Sequence, residues 1–156
     1  MSRRWICLHC LIVGICVTLL VPSPIHARCT VSTTSINFGT YDVLSPVPDT
    51  GTGSITLSCS SKANVTIAIG ASSVSGLFYP RRMENTAFFE TLDYNLYDSP
   101  AMIQVWGDGT NGTITAAVFD VRNNNTAPIR IYGKINPQQN VPAGSYSDQL
   151  VITVIY

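Results

Sequence analysis

Few residues here could carry covalent or acid–base chemistry, and most of those lie near the start of the chain. There are five cysteines, Cys7, Cys10, Cys16, Cys29 and Cys59, and two histidines, His9 and His26. A serine triad needs an imidazole, and a thiol nucleophile needs a base beside it. Carboxylates remain, among them Glu84, Glu90, Asp93, Asp98 and Asp108. A pair of them could act as acid and base on a glycosidic bond. Their spacing singles out no pair, and exposed acids on loops and strand faces are ordinary solvated residues. Asp108-Gly109-Thr110-Asn111-Gly112 has the composition of a calcium loop, but Phe119 stands where an EF-hand places its bidentate glutamate. A turn after a strand at Trp106 is the expected structure. Asn64, Asn111 and Asn124 each open an Asn-x-Thr sequon, weak signals in a chain rich in both residues.

The histidines and three of the cysteines fall within residues 1–27, which read as a secretory signal. Arg3 and Arg4 form a basic start, an apolar run extends from Trp5 to Val21, and a polar stretch closes on Ile25-His26-Ala27. A permanent membrane span needs roughly 20 apolar residues, which this run, with His9 inside it, does not supply. After cleavage the mature chain, residues 28–156, would hold no histidine and would be one domain of roughly 130 residues. Seven basic residues would then face nine acidic ones. Such a balance offers no basic patch to a nucleic-acid backbone. Cys29 and Cys59 would remain, and an even pair in an exported domain reads as a disulfide. No metal site, no cofactor and no enzymatic activity are expected.

The elements that would position these residues are strands. Apolar residues alternate with polar ones at Ile55, Leu57 and Cys59, at Val65, Ile67 and Ile69, and at Leu92, Tyr94 and Leu96. The same period recurs at Ile129, Ile131 and Ile135 and at Leu150, Ile152, Val154 and Tyr156. The first strand changes phase between Val31 and Ile36, which predicts a bulge or kink near Thr33 to Ser35. Turn residues fall at Ser45 to Gly53, Ala71 to Pro80, Gly107 to Gly112 and Pro137 to Gly144. Short strands at this spacing predict an all-β sandwich or barrel with little helix. The last strand, Tyr146 to Tyr156, runs to the final residue. Its free edge is a liability unless something pairs with it.

Several segments together resemble the spore coat U domain, the pilin domain of archaic, Csu-type chaperone-usher pili. They are Cys29 with Ile36-Asn37-Phe38-Gly39-Thr40-Tyr41, Gly53-Ser54-Ile55-Thr56-Leu57-Ser58-Cys59, Arg81-Arg82-Met83 and Leu92-Asp93-Tyr94-Asn95-Leu96-Tyr97. Trp106-Gly107-Asp108-Gly109, Tyr132-Gly133-Lys134-Ile135, Pro142-Ala143-Gly144-Ser145-Tyr146-Ser147-Asp148 and Val151 to Tyr156 complete the set. The resemblance implies an incomplete immunoglobulin-like β-sandwich that lacks its last strand. It also implies a periplasmic chaperone that lends a strand, an outer-membrane usher, and a neighbouring pilin subunit whose N-terminal extension replaces the chaperone strand. On that pattern the acceptor groove is bordered by Val31, Ile36 and Phe38 of the first strand and Leu150, Ile152, Val154 and Tyr156 of the last.

A subunit inside such a fibre also donates a strand. With cleavage after Ala27, only Arg28 precedes Cys29, so this chain is expected to accept without giving, as a tip or terminal subunit would. Leu77, Phe78 and Tyr79 form an apolar loop stretch that is either an adhesive contact or packing onto the sandwich. The expected function is a structural and adhesive subunit of a surface pilus, of the kind that serves cell adhesion and biofilms, exported through the periplasm. The alternatives are a free secreted coat-like or carbohydrate-binding module and, third, a small glycosidase-like enzyme.

Overall fold

The computed structural model describes residues 28–122 and 128–156. The expected signal over residues 1–27 and the Asn124 sequon lie outside the described residues. Eight strands occur, and no α-helix occurs among the described residues: β1 (Cys29–Thr34), β2 (Asp49–Cys59), β3 (Ala63–Ile69), β4 (Arg81–Asn85), β5 (Glu90–Tyr97), β6 (Ala116–Val121), β7 (Ile129–Ile135) and β8 (Ile152–Ile155). They build two sheets, one of five strands in the order β1-β2-β7-β5-β4 and one of three in the order β6-β3-β8. All pairs in the ladders are antiparallel. The result is an immunoglobulin-like β-sandwich whose smaller sheet ends on β8.

The alternation determines the core. Ile55, Leu57 and Cys59 on β2 and Ile67 on β3 are wholly buried, and Leu92, Tyr94 and Leu96 on β5 pack with them. Cys29 stands directly opposite Cys59 in the ladder and is disulfide-bonded to it. Trp106 is also wholly buried, its indole N–H donating to the Ile67 carbonyl at 3.1 Å. It sits in an isolated bridge to Ile114 and not in a strand, so the strand expected there is absent.

Two further expectations need correction. β2 begins at Asp49, so Asp49 to Gly53, expected as loop, is strand, with Gly51 opposite Gly133 and Gly53 opposite Ile131. The final strand is shorter than Tyr146 to Tyr156. Ser147 exchanges two backbone hydrogen bonds with Glu84 at the edge of β4, while the Val151 carbonyl accepts from Gly70 beyond the end of β3. The segment thus crosses from one sheet to the other and joins a ladder only over Ile152–Ile155. Its parity survives the crossing, because Tyr146, Asp148, Leu150, Ile152 and Val154 are the half-buried residues.

Candidate functional site

The phase change expected after Val31 occurs where β1 ends at Thr34 and the chain turns out of its sheet. Residues Ser35 to Gly39 then lie across the inner face of β2 and β7, and glycines make that possible. A β-carbon built at Gly133 would come within 2.6 Å of the Phe38 ring, and one at Gly53 within 2.7 Å of Ile36. At Gly51 it would meet the Asn37 carbonyl at 2.7 Å. Glycine inside a strand marks close approach of another backbone or side chain, and here it clears a bed for the segment. Gly39, with φ of 76°, ends the crossing, its N–H donating to the Asn37 side chain at 2.8 Å. Only a residue at ease in the left-handed region makes that turn without strain.

Between this crossing segment and the final segment the sandwich is open. One cavity of about 380 Å³ has Ile69, Met83, Tyr94, Leu96 and Ile131 in its lining, with Ser35, Ile36 and Phe38 from one segment and Ser147, Leu150 and Ile152 from the other. A second, of about 720 Å³, continues it past Met83 and Tyr146 toward Tyr41, Leu92, Ile135 and Val141. The Tyr41 hydroxyl fixes this end by donating to the Asn136 carbonyl (3.0 Å) while accepting from the Gln139 N–H (2.7 Å). β8 pairs with β3 on one side and, among the described residues, with no strand on the other. The site is therefore a long, mainly apolar groove beside an unpaired strand edge.

Two charged groups, Asp148 on the groove lining and Arg81 behind it, are held by networks of hydrogen bonds. Asp148 accepts from the Ser73 N–H (3.0 Å), the Ser73 hydroxyl (2.7 Å) and the Tyr94 hydroxyl (2.8 Å). Arg81, wholly buried, donates to the carbonyls of Gly70 (3.0 and 3.2 Å), Trp106 (2.7 Å), Ile69 (3.3 Å) and Phe78 (3.5 Å). Burial pulls its pKa below the ordinary value, and Tyr94 and Asp148 oppose that shift. Burial first, then the hydrogen bond to Asp148, pushes the Tyr94 phenol well above its usual range. These groups hold positions; nothing among them is an activated nucleophile.

The sequence-named residues divide. Ile36, Phe38, Leu150 and Ile152 are brought together along the groove. Val154 packs half-buried against the core beyond the lining. Val31 faces inward opposite Leu57 but is 43% exposed on the edge strand, and Tyr156 is 59% exposed past the end of β8. In the loop stretch, Phe78 lies half-buried with the Arg81 guanidinium 5.6 Å from its ring, whereas Leu77 and Tyr79 are exposed. Of the acids considered for catalysis none lines the groove. Asp93 pairs with Arg82 at 3.0 Å, and Asp108 accepts from the Thr110 N–H and hydroxyl within its own turn. Glycines 51, 53 and 133 and the ties of Asp148 escaped the sequence reading. Glycines inside alternating strands were the available signal for the first.

Comparison with known proteins agrees with this architecture. The sequence model of the Spore Coat Protein U domain matches residues 15–153. Protein U of Myxococcus xanthus is 31% identical over 132 residues, covering 78% of this chain and 72% of that protein. Among solved structures, the chain is similar to one in the CsuC-CsuE chaperone-tip adhesion subunit pre-assembly complex from the archaic chaperone-usher Csu pili of Acinetobacter baumannii. The TM-score is 0.55 at 18% identity, over 84% of this chain. The match spans 40% of the length of that chain, and the likeness is one of fold.

Proposed function

The chain belongs to the Spore Coat Protein U domain family, and on that premise we propose that it is a subunit of a chaperone-usher surface pilus, assembled by donor-strand complementation. The observation that carries this reading is the apolar groove beside the unpaired edge of β8. An extended segment laid there would gain main-chain hydrogen bonds from β8, and its alternate side chains would enter the space above Ile69, Leu96 and Ile131. Before assembly the occupant is a strand lent by a periplasmic chaperone. At the outer-membrane usher a neighbouring subunit replaces it. The similar fold found in a chaperone-bound pilus subunit complex supports the chaperone as a partner.

In this proposal the subunit receives a strand and gives none. With export cleavage near Ala27 the chain ahead of Cys29 is too short to donate, and Cys29 is itself tied to Cys59. A tip or terminal place in the fibre follows, with the exposed Leu77 and Tyr79 as an adhesive contact at the cell surface. The proposed role is structural, as the family and the similar pilus subunit support.

Co-expression of the full chain with a candidate chaperone in a bacterial periplasm tests the assembly reading. A stable one-to-one complex is expected, and Ile152→Asp should abolish it by placing a charge in the groove. A folded, soluble monomer formed without any chaperone would favour the second reading, a free secreted coat-like module. The N-terminus of the exported protein checks the terminal placement, and adhesion by a Leu77→Ser, Tyr79→Ser variant checks the loop.

A further inference from the structure

The inward-facing residues of the final segment are Tyr146, Asp148, Leu150, Ile152 and Val154, and only one of them carries a charge. Alternation alone asks for an apolar residue at position 148. A half-buried carboxylate is costly unless its oxygens are hydrogen-bonded, and here three donors meet it, two from Ser73 in the loop after β3 and one from Tyr94 on β5. Tyr94 is anchored in turn, buried on a strand that is laddered on both sides.

The placement of this tie matters more than its count of bonds. Ser147 is bridged to Glu84 at the edge of one sheet, and Ile152 opens the ladder on the other. Between them, residues 148–151 belong to no strand. That same stretch is a wall of the groove, facing Ser35 to Phe38 across the opening. Apart from the Val151 carbonyl, which accepts from Gly70, this wall has no ladder to keep it from closing inward or drifting apart, and either movement must be reversed before a strand can enter.

We propose that Asp148 is a positioning residue for strand uptake: held by Ser73 and Tyr94, it keeps this wall at the spacing an incoming strand requires. The proposal rests on the strand-acceptor reading above. It is a case of preorganisation, in which the cost of ordering the site is met before binding. The filled groove needs the wall at that spacing and keeps the tie, whereas the open chain deprived of it relaxes into closed or spread forms. Its loss therefore costs the filled state more than the open one, and the difference appears as weaker uptake.

The test uses the full chain carrying Ser73→Ala, Tyr94→Phe or Asp148→Asn, presented with a synthetic peptide of alternating valine and threonine long enough to run beside residues 146–156. A matching set carries the same strand fused after Tyr156 through a flexible linker. Ser73 is exposed, so its substitution leaves the fold intact. Uptake about tenfold slower in each variant is expected, a size that the loss of one hydrogen bond to a charged group accounts for, with the melting temperatures of the fused forms lowered more than those of the open chain. Uptake at the parental rate in all three variants overturns the proposal. So does a fused form that loses as much stability as the open one, because the tie would then serve the fold as a whole. Failure of the unsubstituted chain to take up peptide sinks the strand-acceptor reading itself, and that result is visible before any variant is compared.

Discussion

The disulfide-bonded side of the sandwich and the side that ends on β8 follow the same alternation and reach different degrees of burial. On β2, Ile55, Leu57 and Cys59 have no exposed surface, while on the final segment Leu150, Ile152 and Val154 remain half-buried. Side-chain parity determines which face of a strand looks inward. Whether that face is covered depends on a second layer. β3 and β6 lie over the first region, whereas the final segment borders an opening where a further strand of the smaller sheet would run.

The strongest way to test this contrast is to cut the same side chain from both regions. Leu57→Ala should cost about 2–5 kcal/mol, the range for a buried leucine that leaves a cavity, read as a lower denaturant midpoint. Reducing the Cys29–Cys59 bond, which spans a separation of 30 residues, should cost about 3.5 kcal/mol in the chain-entropy account, seen by comparing Cys→Ala double variants with the parent. Gly133→Ala should cost about 1–3 kcal/mol through overpacking, because its new methyl displaces the Phe38 ring. A shifted Phe38 environment by NMR would distinguish this from a plain loss of stability. Leu150→Ala should cost about 1 kcal/mol or less in the open chain, as its side chain is only partly removed from water. The same substitution should approach the Leu57 value in a form with a strand fused into the groove. Equal costs for Leu150 in the open and fused forms would break the comparison.

Much of this was legible beforehand. The core of β2, β3, β5 and β7 could be read from period-2 runs of Ile, Leu and Val, and the kink after β1 from a change of phase. β6 was not, because Ala116 and Val118 are small inward residues, Phe119 faces solvent, and a register shift opposite β3 interrupts the pattern. The loop expected at Asp49 to Gly53 failed for a related reason: glycine signals both turns and crowded strands, and only the partner lying across the sheet decides between them. Ile36, Phe38, Leu150 and Ile152, which line the cavity, were reachable only through the family resemblance. The Asp148 tie was not, since nothing in an Asp two residues after a Tyr shows that Ser73 and Tyr94 will converge on it.

If the unpaired edge of β8 takes up a strand as proposed, the melting temperature of the isolated chain is only a lower limit. Any segment that settles in the groove of the folded chain and ignores the unfolded one adds RT ln(1 + [L]/Kd) to its stability. Durability then becomes a property of the mixture, low in dilute isolation and rising with the supply of strands. On the strand-acceptor proposal the chain is most fragile before it meets a partner and most robust afterwards, without any change to its own covalent structure.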